Sequence, residues 1–116
     1  MAEDWSRPVV HWEIEAQDPE KIAAFYGALF NWTIGDGALR QIGPGIGAPE
    51  TITGHIRGGQ RSAVVLNIQV LNLRETLDRV PGLGGKVLRE PFDLPQGPTL
   101  ASILDPEGNR ITLVQQ

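Results

Sequence analysis

Residues 9–32, VVHWEIEAQDPEKIAAFYGALFNW, decide the fold. Val10, Trp12, Ile14 and Ala16 alternate with His11, Glu13 and Glu15, and a period of two sends the apolar set to one face of a sheet and the ionisable set to the other. One imidazole and two carboxylates therefore share a face, with about 7 Å from one to the next. Asp18 stands directly before Pro19, a helix cap followed by proline at the first helical position, and Glu20 places negative charge beside the positive end of the helix dipole. A helix is predicted over residues 18–30. Ile22, Phe25, Tyr26, Leu29 and Phe30 recur at spacings of three and four, so this helix is expected to lay an apolar stripe on the apolar face of the strand.

Downstream, WTIGDG, ALRQIGPGIG and ETITGHIRGG each hold a short strand-like core bounded by glycine or proline, which predicts three more strands joined by tight turns. In the last of these, Thr53, His55 and Arg57 alternate onto one face. The pattern then restarts. SAVVLNIQV is a strand rich in β-branched residues, and Asn72 caps a second helix, expected over residues 72–82, with Leu73, Leu77, Val80 and Leu83 at helical spacing. An offset of 54 brings Asp18 onto Asn72 and His11 onto Val65, so the halves repeat. Lys86 to Arg89 begin another strand, and PFDLPQGP reads as a loop because its three prolines bar a regular ladder. Thr99 to Leu104 and Arg110 to Val114 close as a hairpin around Asp105, Pro106, Glu107, Gly108 and Asn109.

The expected fold is α+β. Two βαβββ modules, residues 8–58 and 62–116 of one domain, form a curved mixed sheet around a cleft with the helices outside. At 116 residues the chain buries roughly two thirds of its unfolded surface and needs no staple. The absence of cysteine excludes a disulfide framework, a thiol nucleophile and a cysteine-ligated metal. With a net charge of −4 and scattered basic residues, nothing resembles a phosphate-neutralising stripe, so no nucleic-acid partner is expected. The apolar runs are too short to span a bilayer and MAEDWSRP lacks the pattern of a signal peptide, so a cytoplasmic protein without a membrane partner is expected.

HWEIEAQDPEKIAAFYGALFNW resembles the first-module signature of the vicinal oxygen chelate superfamily, the glyoxalase, bleomycin-resistance and extradiol-dioxygenase group. The strand histidine, the acidic helix cap seven residues later and the FY pair are here His11, Asp18 and Phe25-Tyr26. GLGGKVLREPFDLPQGPTLASILDPEGNRITLVQ is similar to the second module of the lactoylglutathione-lyase-related branch. The resemblance covers nearly the whole chain and implies a cleft holding a divalent ion through histidine and glutamate side chains on the first and last strands of each module. His11 matches the first-strand ligand, but Val65 stands where the second histidine would be and Thr112 where the last-strand glutamate would be. His55 falls near the remaining ligand position. No stoichiometric metal is therefore expected; a divalent metal, if bound, would use His11 with His55 and Glu13 or Glu15.

His11 and Glu13 are the candidate catalytic residues, and His11, Glu13, Glu15 and His55 the candidate ligand contacts. Each has a plainer alternative: a hydrogen-bonded strand histidine, or ordinary charges on a solvated face. Trp12, Phe25, Tyr26 and Trp32 fall on apolar periodic positions and read as core. Three functions follow from these residues and the resemblance. The first is a protein that binds or converts a small molecule without the full metal site. The second is a metal-dependent lyase, isomerase or dioxygenase with an unusual ligand set, and the third a drug-binding protein that sequesters without turnover. The resemblance also implies a homodimer.

Overall fold

Alternation of apolar and ionisable residues makes residues 9–16 a strand, and Asp18 ends its influence by capping the helix that follows: its carboxylate accepts a hydrogen bond from the Lys21 amide at 3.1 Å. The computed structural model describes residues 6–43 and 52–115. They contain seven strands and two α-helices in an α+β arrangement and divide into two compact units, His11–Val65 and Leu66 onward with the start of the chain up to Val10.

The first unit holds β1 (Val9–Ala16), α1 (Pro19–Phe30), β2 (Leu39–Ile42) and β3 (Thr53–Gly58), with strand order β2-β3-β1. β1 and β3 are parallel, with His11 opposite Thr53, Glu13 opposite His55 and Glu15 opposite Arg57. β2 is antiparallel to β3 and sets Gln41 beside His55 and Leu39 beside Arg57. The other face carries the core: Ala16, Ile42 and Ile56, with Trp12, Ile14, Ile22, Ala23, Trp32 and Ile34 packed around them. Gly54 is obligatory in this layer, because a Cβ there would overlap the indole of Trp12.

Two expectations for this unit are corrected. Only Ile22 and Ala23 of α1 join the core, while Phe25, Leu29 and Phe30 are 55%, 60% and 53% exposed. Trp32, after the left-handed turn at Asn31, folds back and stacks on Tyr26 at 5.1 Å while leaning on Trp12 at 5.6 Å. One indole thus fills the gap that the helix stripe was expected to fill. WTIGDG forms no full strand: Ile34 makes a single antiparallel bridge to Ile42, held by Gly43 N–H to Thr33 O and Gly35 N–H to Gln41 O, each 2.9 Å. Glycine at 35 and at 37, the latter at φ +93°, ends the ladder there. The remainder of the predicted strands in ALRQIGPGIG and ETITGHIRGG, residues 44–51, lies outside the described residues.

The second unit repeats the plan with β4 (Ala63–Gln69), α2 (Leu73–Arg79), β5 (Lys86–Asp93), β6 (Thr99–Leu104) and β7 (Arg110–Gln115), in the order β4-β7-β6-β5. β4 and β7 are parallel, as β1 and β3 are, and β6 lies antiparallel to β7. Its core is Val70, Leu73, Leu77, Ala101 and Leu113. Asn72 caps α2 through the Glu75 amide at 3.0 Å. The helix stops at Arg79, short of the expected residue 82, because Pro81 opens a separate 3₁₀ turn (Pro81–Leu83) closed by Gly84 at φ +95°; Leu83 is 66% exposed. PFDLPQGP is not wholly loop, since β5 continues through Pro91 to pair Phe92 with Leu100 and Asp93 with Thr99. The register shifts between Arg89 and Phe92, so the proline sits at an irregularity on an edge strand, where no ladder hydrogen bond is asked of it. The hairpin turn is tied by Asp105, whose carboxylate accepts from the amides of Glu107 and Asn109 and from the Asn109 side chain, each 2.9 Å.

Candidate functional site

The parallel register of β1 and β3 places His11, Glu13 and Glu15 beside Thr53, His55 and Arg57 on the face opposite Trp12 and Ile14. Five of these side chains form one hydrogen-bonded row. Thr53 Oγ1 lies 2.9 Å from His11 Nδ1, His11 Nε2 lies 2.7 Å from His55 Nδ1, and His55 Nε2 lies 2.8 Å from Glu13 Oε1. Arg57 closes the row with a fork: Nε donates to Glu13 Oε1 and Nη2 to Oε2, both at 3.1 Å. Glu15, 5% exposed, stands 3.6 Å from the same guanidinium.

The row is partly withdrawn from water, with the side chains of His55 and Glu13 11% and 14% exposed. Burial alone would push the Glu13 carboxyl up. Hydrogen bonds from His55 and Arg57, with the Arg57 charge, outweigh it and bring the carboxyl from its ordinary 4.5 down to about 2. Arg57 is raised by its bond to Glu13. His11 is lowered, first by burial and then by the neighbouring His55, against an opposing pull from Glu13.

With both imidazoles neutral, an ionised Glu13 fixes the direction of every bond in the row. A carboxylate only accepts, so His55 Nε2 carries a proton and a neutral His55 has a bare Nδ1. His11 must then donate from Nε2, which leaves its Nδ1 to accept from the Thr53 hydroxyl. With both imidazoles neutral, the protons all point from Thr53 towards Glu13.

Every sequence-derived site residue thus lies on one face, with His11, Glu13 and His55 in direct contact along the row and Glu15 at its edge. Thr53 and Arg57 belong to the same row although neither was a candidate. Their alternation with His55 was visible, but what makes them part of the site is the pairing of strands more than forty residues apart.

The donors do not suit a chelate. Two imidazole nitrogens on one metal, each at about 2.0–2.1 Å, stand about 3 Å apart or more, whereas His11 Nε2 and His55 Nδ1 are 2.7 Å apart and aimed at each other. Glu13 binds the far nitrogen of His55 rather than converging on the same point. Among the described residues no group of three or more histidine, aspartate or glutamate side chains is placed to hold a metal ion. In the second unit, the positions related to Glu13 and His55 by strand register carry Asn67 and Thr112, which face each other across β4 and β7. The Asn67 Oδ1 is buried and has no hydrogen-bond partner among the described residues.

The model of the glyoxalase-like domain family matches residues 11–114, and the chain belongs to that family, within the glyoxalase/bleomycin resistance/dioxygenase superfamily. Solved structures share the fold. A superfamily member from Vibrio splendidus 12B01 is 12% identical with a TM-score of 0.68, over 96% of this chain and 100% of that one. The hypothetical protein BH1468 from Bacillus halodurans C-125 is 13% identical with a TM-score of 0.66, over 97% and 96%. Methylmalonyl-CoA epimerase from Mycobacterium tuberculosis is 13% identical with a TM-score of 0.62, over 97% and 93%. No curated protein matches the sequence.

Stability should follow the charge state of the row. The Glu13 carboxyl is lowered on folding, so its contribution is complete above about pH 5 and is lost as the pH falls towards 2. His11 is also lowered, and protonating it opposes folding as the pH drops below its ordinary 6.5. Both effects have the same sign. Urea unfolding across pH 3–8 is expected to show stability falling into acid. Glu13→Gln should cost on the order of 2 kcal/mol at pH 7 and flatten the profile between pH 5 and 3. An unchanged profile in the variant would show that Glu13 is not held as described.

Proposed function

We propose that this chain binds a small organic molecule at the His11–His55–Glu13 row and acts on it by acid–base chemistry, without the chelated metal that the superfamily's signature implies. The observation that carries the reading is the unbroken hydrogen-bonded row, a pair of imidazoles oriented by an ionised carboxylate that is itself held by an arginine. An imidazole with a fixed tautomer and an anion behind it is the arrangement that general acid–base catalysis uses to move a proton at neutral pH. The fold accommodates enzymes, an epimerase among its solved examples. Fold alone, however, does not specify chemistry.

The charges on this face narrow the ligand. With neutral imidazoles, Glu13 and Glu15 outnumber Arg57, and three of the arginine's nitrogens are already committed to Glu13 and to the Gly58 carbonyl. A neutral or cationic molecule bearing carbonyl or hydroxyl oxygens suits the face better than a phosphate. The same acidity favours a second reading, the sequestration of a cationic or aromatic drug without turnover. We place the protein in the cytoplasm, a setting that a cysteine-free sequence suits. Among the described residues no helix is long and apolar enough to cross a membrane.

A thermal-shift screen of the full chain against neutral and cationic metabolites and drugs is expected to give at least one compound that raises Tm. His11→Ala and Glu13→Gln should weaken its binding tenfold or more, by roughly 1.4 kcal/mol. Equal affinity in both variants would remove the row from function. Recovery of the bound compound unchanged after prolonged incubation would select sequestration over catalysis.

A homodimer is part of the proposal. Phe25, Leu29 and Phe30 leave on α1 an apolar strip more than half exposed, which a second copy would cover. Sedimentation velocity at micromolar concentration should give twice the chain mass, and Leu29→Glu should shift it towards one. A single-chain mass for the unaltered protein would contradict the dimer.

A further inference from the structure

The donors and acceptors of the row can be counted, and the count closes both histidines. Both ring nitrogens of His11 are occupied, by Thr53 and His55, and both of His55 by His11 and Glu13. Glu13 receives three hydrogen bonds, and Arg57 spends Nε and Nη2 on Glu13 and Nη1 on the Gly58 carbonyl. Thr53 is different. It is exposed, its hydroxyl donates once to His11, and among the described residues nothing else is bonded to its oxygen, which has two lone pairs.

We infer that Thr53, and neither histidine, is the group of this row that meets the ligand, and that protons enter and leave the row through its hydroxyl. The inference rests on the acid–base reading above and names its contact atom. A ligand hydroxyl or acidic C–H would hand its proton to Thr53 Oγ1 as the Thr53 proton passes to His11 Nδ1. The proton on His11 Nε2 then passes to His55 Nδ1. Threonine ends as it began, His11 ends neutral with its tautomer exchanged, and His55 becomes an imidazolium beside Glu13. One proton leaves the ligand and one positive charge appears on His55, so the transfer balances. The reverse sequence returns a proton to a carbonyl or enolate oxygen. Glu13 makes the transfer feasible because the new cation forms against a carboxylate already in hydrogen-bond contact at 2.8 Å. The ligand class this selects carries a hydroxyl, or a carbonyl with an acidic neighbouring C–H, presented to a hydroxyl rather than directly to an imidazole.

The test needs no ligand, so it can fail without touching the outcome of the ligand screen. In the ¹⁵N-labelled full chain at pH 7, saturation of the water signal measures how fast the Nε2 protons of His11 and His55 exchange with solvent. Thr53→Ser keeps the hydroxyl and should exchange at the rate of the unaltered protein. Thr53→Val keeps the β-branched shape that an exposed strand position favours but removes the conduit, and should slow both protons by roughly tenfold or more. Exchange in Thr53→Val as fast as in the unaltered protein, or faster, would show that protons reach the imidazoles by another path and would overturn the assignment. A rate in Thr53→Ser as slow as in Thr53→Val would overturn it equally, because it would trace the effect to packing rather than to the hydroxyl.

Discussion

The forked pair between Arg57 and Glu13 is the interaction on which the site depends. A carboxylate so far withdrawn from water would ordinarily take up a proton, and a protonated Glu13 could donate to His55 instead of accepting from it. With two guanidinium hydrogen bonds on its oxygens Glu13 stays ionised, and with the imidazoles neutral its charge dictates the tautomer of His55, then of His11, then the orientation of the Thr53 hydroxyl. One ion pair therefore sets three proton positions. The pair would be a poor source of net stability if judged alone, because desolvation offsets much of its attraction. Its role is to give the row a single direction.

That direction is useful only because the strands hold the residues in register. β1 and β3 are parallel neighbours, and parallel pairing aligns His11 with Thr53, Glu13 with His55 and Glu15 with Arg57 without a bulge. The register is protected from the other face. Trp12 lies against Gly54, and Ile14 and Ile56 are opposite one another in the core, so a slip of one residue would drive the polar row into the apolar layer. The core packing and the site are two faces of the same constraint.

Much of this was legible in the chain. Alternation in VVHWEIEA put His11, Glu13 and Glu15 on one face, the Asp-Pro and Asn-Leu caps located both helices, and the restart at residue 62 located β4. What could not be read was set by contacts distant in sequence. That Thr53 and Arg57 belong with His11 and Glu13 depends on which strand β3 joins, and no local pattern carries that information. The apolar stripe of α1 overstated its own burial because Trp32 competes for the same surface. Pro91 misled in the opposite sense: proline bars a strand only where an amide must donate, and an edge strand at a register shift makes no such demand.

The central claim is that His11 and Glu13, which share no direct hydrogen bond, act as one unit through His55. A double-mutant cycle of His11→Ala and Glu13→Gln, read by urea unfolding at pH 8, measures that connection directly. The account predicts a coupling of about 0.5 kcal/mol or more. Additivity of the two substitutions to within about 0.3 kcal/mol would contradict it and reduce the row to separate pairs.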